Sequence, residues 1–235
     1  MMAVPETVRT ALADRPVAGR TCLEAGAGVG NTTAGLCEAG AAAVYAITDD
    51  PSHARMVRDR VQRESVEVLR TDLRAIALPD DAVEFVTAHA LFNVVPPSDA
   101  DTVASELTRV ASPGAHLVVD DYTPIPDADI RELFAVENAA AELAAGRPAL
   151  TFYPASHLRA LFEVRGWTFE RRRSLLDPVP WTESHVEAHL DAVREYADAL
   201  PEAIARPLVD RAERLAADIG ADRAGEMYSL AFTRE

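Results

Sequence analysis

The sequence contains no lysine: all 23 of its basic residues are arginine. Arginine neither gives up its proton inside a protein nor forms a Schiff base, so chemistry that depends on an amine is excluded. Pyridoxal-phosphate Schiff-base enzymes, P-loop nucleotide enzymes that use the motif lysine, and short-chain dehydrogenases built on a Tyr and Lys pair all fall away. Cysteine is scarce as well. Cys22 and Cys37 show neither metal-ligand spacing nor the density of a secreted disulfide scaffold, and both are expected as small buried hydrophobes of a reducing cytoplasm. No basic and apolar leader opens the chain, and no apolar run approaches the ~18 residues of a membrane span, so the expectation is a cytoplasmic protein with no membrane partner. Positive charge is in deficit, with 38 Asp and Glu against the arginines for a formal net charge of -15. Such a surface repels a polyanion and argues against a nucleic-acid partner. The one basic run, Arg171 to Arg173, is expected as a solvated strand edge. The acidic, lysine-free style resembles the proteins of salt-loving (halophilic) microbes.

What is present is a balanced globular chain of 235 residues, 49% hydrophobic and 26% charged. From residue 20 to about 175, short apolar runs alternate with amphipathic stretches, the signature of an α/β fold with a mostly parallel, doubly wound sheet. Strands are predicted over Arg20 to Ala25, Ala43 to Thr48, Val66 to Arg70, Val83 to Ala88, Ala115 to Tyr122, Trp167 to Leu175 and Glu226 to Phe232, seven in all. Helices are predicted from about Val29 to Glu38, from Pro51 onward, over Ser98 to Ala111 with Ser98 as N-cap, and over Pro154 to Arg165. Two additions, 123–152 and 177–222, interrupt this order; the first holds an Ala-rich helix around Ile130 to Ala145, and the second holds two helices separated at Pro201. Both leave from strand ends on the side where an open parallel sheet carries its ligand crevice. A single domain over 1–235 with two helical cap insertions is therefore expected.

The strongest local signal is the strand Cys22-Leu23-Glu24-Ala25 running into Gly26-Ala27-Gly28-Val29-Gly30 and then a helix. Glycines let backbone approach a ligand closely, and a helix N-terminus offers unpaired N–H groups. The dinucleotide fingerprint G-x-G-x-x-G fails here, since it meets Asn31 when begun at Gly26 and Thr33 when begun at Gly28. An acid at the end of a buried strand, Glu24, needs a partner, which a bound ammonium group or backbone donors would supply.

With Glu24-x-Gly26-x-Gly28-x-Gly30 go three further segments: Val44-Tyr45-Ala46-Ile47-Thr48-Asp49-Asp50-Pro51; Thr71-Asp72-Leu73 with Leu78-Pro79-Asp80-Asp81 and Val83-Glu84-Phe85-Val86; and Glu106-Leu107-Thr108-Arg109-Val110-Ala111-Ser112-Pro113-Gly114. In this order and spacing the chain resembles the class I, seven-stranded Rossmann-like S-adenosylmethionine-dependent methyltransferases over roughly residues 20–122 and the terminal strands. The resemblance implies S-adenosyl-L-methionine as cofactor. Its methionine part would lie on Glu24, Gly26, Gly28 and Gly30, its ribose at the end of the second strand, and its adenine by Asp72 and Leu73. Aligned on Pro51, the family's ribose acid falls on Thr48, one place before Asp49, so Thr48, Asp49 and Asp50 all stand as ribose candidates; the alternative for Asp49 and Asp50 is an N-cap ahead of Pro51, which for Asp50 is as plausible as the ribose role.

Methyl transfer from a sulfonium needs alignment above all and no obligatory acid or base. His89, Asn93, Asp121 and Tyr122 fall in the expected crevice; His89 and Tyr122 are the catalytic candidates, His89 as a general base or as a cofactor-lining histidine. His185 and His189 stand four apart on a predicted helix, but Val186 occupies the place of the zinc-protease glutamate, and a solvated face is expected without a metal. Tyr122, Phe152, Tyr153 and Trp181 flank the insertions, where they would line an apolar pocket or pack cap on sheet. A small-molecule methyl acceptor is the expected partner. A protein (arginine-type) or RNA methyltransferase, and a non-catalytic cofactor-binding or oligomerisation module, are the alternatives; a homo-oligomer is left open.

Overall fold

The computed structural model describes residues 3–235. Its main sheet has seven strands: β1 (Thr21–Ala25), β2 (Ala43–Thr48), β3 (Val66–Arg70), β4 (Val83–His89), β5 (Ala111–Tyr122), β6 (Trp167–Leu176) and β9 (Met227–Arg234). They lie in the order β3-β2-β1-β4-β5-β9-β6, parallel except for β9, which runs antiparallel to both neighbours. The doubly wound sheet expected from the alternation is the one observed. Both faces of its central strands are covered, which is why β1 and β4 read as nearly unbroken apolar runs. The order reverses between β1 and β4, and the carboxyl ends on either side of that switch form a crevice.

The flanking helices are α1 (Glu6–Leu12), α2 (Asn31–Glu38), α3 (Pro51–Arg60), α4 (Pro97–Val110) and α6 (Ala155–Glu163). Helix α3 starts as its sequence predicts, with Pro51 in the first turn and the Asp50 carboxylate accepting from the N–H groups of Ser52 and His53. Helix α4 does not: Pro96 takes the cap position, Pro97 begins the helix, and the Ser98 hydroxyl turns to Asp99. Two prolines fix the entry dihedrals without a side-chain cap. Beyond α4 the chain enters β5 directly at Ala111, with an irregularity in the pairing to β4 across Pro113 and Gly114.

The additions supply α5 (Asp129–Ala145), α7 (Glu183–Ala197) and α8 (Glu202–Ile219), which pack on one another. They enclose a second apolar core around Ile130, Leu133, Phe134, Trp181, Val186, Leu190, Val193 and Ala212. A two-stranded ribbon, β7 (Pro180–Trp181) with β8 (Asp222–Arg223), ties the two ends of the second insertion together. Arg171 to Arg173 do lie on the sheet's edge strand, but they are paired and not merely solvated: Arg171 and Arg173 bridge to Asp14 and to backbone carbonyls at the end of α1, and Arg172 meets Glu226. Cys22 and Cys37 are free and buried. Among the described residues, no helix is long and apolar enough to cross a membrane, and no group of three or more His, Cys, Asp or Glu could hold a metal ion.

Candidate active site

The crevice at the switch point opens into a cavity of about 560 Å³. Gly26 and Gly28 of the turn after β1 line it, with Thr48, Asp49 and Asp50 at the end of β2, Asp72 and Leu73 after β3, and His89 at the end of β4. The fold thus brings together eight positions singled out in the sequence, from four loops. At Gly26, φ is 76°, and an added Cβ would meet Leu91 Cδ1 at 2.8 Å. At Gly28, φ is 46°, and the same Cβ would project into open space with nothing within 4 Å. The turn leaves room there that its own packing does not use. Gly30, with φ 81°, is the N-cap of α2.

Glu24 does not line the cavity. Its carboxylate is buried behind the glycine turn and accepts a short hydrogen bond from the Thr33 hydroxyl. Burial pushes its pKa up to about 7, with the hydrogen bonds of Thr33 and Thr32 and the nearby His89 opposing. Asp50 is the N-cap of α3, and those bonds, led by that of His53, hold its carboxyl below the usual range. Asp49 is exposed at the cavity wall, whereas Thr48 is buried with its hydroxyl accepting from the Asp50 N–H at 3.2 Å. Asp72 is clasped by Arg74, which reaches it through the backbone N–H at 2.8 Å and the guanidinium at 2.6–3.0 Å. Leu73, Leu91, Val94, Val95 and Val103 give the same cavity an apolar wall.

His89 and Ala90 also line a second cavity, of about 300 Å³. Its other walls come from Tyr122 at the end of β5, Phe152, Leu150 and Val179 in the insertions, Trp181, His185 and His189. His89 Nδ1 lies 2.8 Å from Oδ2 of the buried Asp120. Burial works against its charge, but the bond to Asp120 and the carboxylates of Asp120, Glu24 and Asp121 outweigh it and raise the pKa. Asp121 faces the other way, accepting from the backbone N–H groups of Asn93 and Tyr122, and burial pushes its pKa up to about 7 against those bonds. Burial, helped by Asp121 and Asp120, pushes the Tyr122 phenol up to about 12.

His185 is exposed, as a solvated face requires, but His189 is turned inward. His185 caps α7, its Nδ1 accepting from the Thr182 N–H, while His189 Nδ1 lies 2.7 Å from Oε2 of the buried Glu137. Tyr122, Phe134, Phe152, Trp181 and His189 form a connected set of rings with centroids 4.6–6.4 Å apart. Sequence reading passed over Asp120 and Glu137. Glu137 was legible as an acid on the apolar stripe Ile130, Leu133, Phe134, Val136, Ala140 and Ala141, where an unpartnered carboxylate would be costly.

Residues 23–119 match the family described as a methyltransferase domain. A demethylmenaquinone methyltransferase of Clavibacter sepedonicus is 32% identical over 122 residues, 51% of this chain and 49% of that protein, so the chain aligns with about half the length of that relative. A candidate methyltransferase of Bacillus halodurans shares the fold with a TM-score of 0.68 at 13% identity, over 96% of this chain and 97% of its own. The geranyl diphosphate C-methyltransferase of Streptomyces coelicolor, solved with geranyl diphosphate and S-adenosyl-L-homocysteine, does so with a TM-score of 0.63 at 13% identity, over 97% and 77%. At these identities the solved structures speak for the fold alone.

Proposed function

We infer that this chain, whose residues 23–119 match a methyltransferase-domain family, is a class I, Rossmann-like, S-adenosylmethionine-dependent methyltransferase that methylates a small ring-bearing molecule held beneath its helical insertions. The observation that carries this reading is the pair of adjoining cavities with His89 and Ala90 common to both. The larger suits a nucleoside-sized group. The smaller, walled by Tyr122, Phe152 and Trp181, suits an apolar ring.

The residues present fit S-adenosylmethionine. Gly28 leaves open space at the turn, Asp49 offers an unburied carboxylate to the ribose, and Leu73 with Leu91 and Val95 gives an apolar slot for adenine. Thr48 would add a hydroxyl to the ribose site, and Leu73 its backbone to the adenine edge; Asp72 serves there once Arg74 swings aside. Glu24, behind Gly26 and Gly28, supplies the negative potential that favours a cationic amino acid end. When bound, the cofactor supplies an activated methyl group. The protein's share is alignment, with the shared wall at His89 and Ala90 setting where donor and acceptor meet. The curated relative is named for demethylmenaquinone and the Streptomyces neighbour for geranyl diphosphate, each with a substantial hydrocarbon part, which agrees with the character of the smaller cavity.

The test has two parts. Calorimetric titration with S-adenosylhomocysteine is expected to show one site. Incubation of the protein with tritiated S-adenosylmethionine and a lysate, followed by size fractionation, is expected to place label in small molecules. Label confined to protein or RNA, or none at all alongside tight homocysteine-analogue binding, would overturn the acceptor class or the activity respectively.

A further inference from the structure

The smaller cavity holds four groups able to exchange protons, and their surroundings separate them. His185 Nδ1 accepts from the Thr182 N–H, so its lone pair is already engaged. Tyr122 is kept in its neutral, protonated form by burial and by Asp121 and Asp120. His89 is tied at Nδ1 to Asp120; against its burial, that bond and the carboxylates of Asp120, Glu24 and Asp121 raise its pKa, and it stands on the wall shared with the larger cavity. His189 is different. Its Nδ1 meets a single buried carboxylate, Glu137, at 2.7 Å, and its ring lies edge-on to Phe134 with centroids 4.6 Å apart. A carboxylate on Nδ1 fixes the tautomer in which Nδ1 carries the hydrogen and Nε2 carries the lone pair. His189 also lines the cavity, and so does Asn93, whose Oδ1 is buried with no hydrogen-bond partner among the described residues. An oriented imidazole and an orphaned acceptor on the wall of one cavity suit a ligand that brings a hydrogen-bond donor.

We propose that the acceptor carries a ring hydroxyl, that His189 is the base that takes its proton, and that Glu137 positions His189. This rests on the methyltransferase reading above. In the step, the acceptor's O–H bond breaks and its proton goes to His189 Nε2. An oxygen lone pair forms the new O–CH₃ bond, and the electron pair of the breaking S–CH₃ bond returns to sulfur. A neutral phenol and a sulfonium thus become an aryl methyl ether, a thioether and an imidazolium, with charge conserved. Glu137 acts through His189 by compensating the charge the ring gains. The remaining titratable groups around the pair are His185 one turn earlier on α7, Tyr122 and His89 across the cavity, and Tyr196 and Arg147 on the Glu137 side.

The probe is 4-nitrophenol, whose yellow anion reports its own ionisation, added to the full chain saturated with S-adenosylhomocysteine. Wild-type protein is expected to bind it and to lower its apparent pKa by at least one unit. His189→Gln should bind it within about threefold of wild type yet return that pKa to within a few tenths of the free value. Glu137→Gln should recover part of the lost shift, and Glu137→Asp more, which a purely structural role would not produce. No binding of the probe, or the same ionisation in wild type and His189→Gln, would overturn the proposal. Failure of S-adenosylhomocysteine itself to bind would instead remove the methyltransferase reading on which it rests.

Discussion

Glu24→Gln separates what a buried acid does for a ligand from what it costs the fold. Burial raises the Glu24 pKa from 4.5 to about 7 in the folded protein. Between those values the folded state keeps a proton that the unfolded state has released, so stability falls as pH rises through the window and is level above it. The difference of about 2.5 pH units, at about 1.4 kcal/mol each, makes the loss about 3.5 kcal/mol. Glutamine removes the ionisation while keeping the contact, because the Thr33 hydroxyl that donates to the carboxylate can donate to an amide oxygen or accept from an amide nitrogen. Asp121, whose raised pKa slopes in the same direction, is present in both proteins and largely cancels in the comparison. Urea unfolding at pH 5 and pH 8 measures the effect. With an m-value of about 3 kcal/mol per M, the midpoint of the variant relative to wild type should rise by about 1 M between the two pH values. S-adenosylhomocysteine affinity should meanwhile fall severalfold, since a carboxylate behind the turn acts on the ligand only through its field. Parallel midpoints from pH 5 to pH 8 would refute the reasoning, since they would mean that Glu24 is ionised in the folded protein as readily as in the unfolded one.

Two further substitutions test the site at separate points. Gly28→Ala places a side chain at φ 46°, which should cost about 1–2 kcal/mol of stability, and puts a methyl group into the open space of the larger cavity. Calorimetry should therefore show S-adenosylhomocysteine affinity reduced at least tenfold; unchanged affinity would mean that no ligand approaches this turn. Asp50→Ala removes an N-cap that satisfies two backbone donors and should lower stability by about 1 kcal/mol, seen as a lower urea midpoint. Cofactor binding should stay within about twofold, and a collapse of binding would show that Asp50 holds ligand as well as helix.

The architecture was readable because its signals are local. Alternation of apolar runs with 3.6-residue stripes, a glycine turn after β1 and Pro51 opening α3 each depend on a few adjacent residues, and strands two and three fall on their predicted bounds. Where neighbours compete, local reading gives way. Ser98 lost its cap to Pro96 and Pro97, whose fixed dihedrals begin the helix first. The helix α1 and the short ribbon of β7 with β8 went unseen because each is brief and takes its meaning from what it packs against. The arginine run on β6 was correctly placed at an edge, yet its partner Asp14 lies over 150 positions earlier.

By itself, then, the sequence determined the succession of strands and helices along a mostly parallel sheet, the turn that faces the larger cavity, and the exclusion of amine chemistry by a chain without lysine. Only the tertiary structure decided which acids are at hand and in which state. Glu24 proved to be bound to Thr33 behind the turn, Asp72 to be clasped by Arg74, and Asp50 to be a cap. The two histidine and carboxylate pairs join residues 31 and 52 positions apart. Periodicity records which face of an element is apolar, but pairing and proton affinity depend on distance and burial among elements remote in sequence. These quantities come into being only when the insertions close on the sheet.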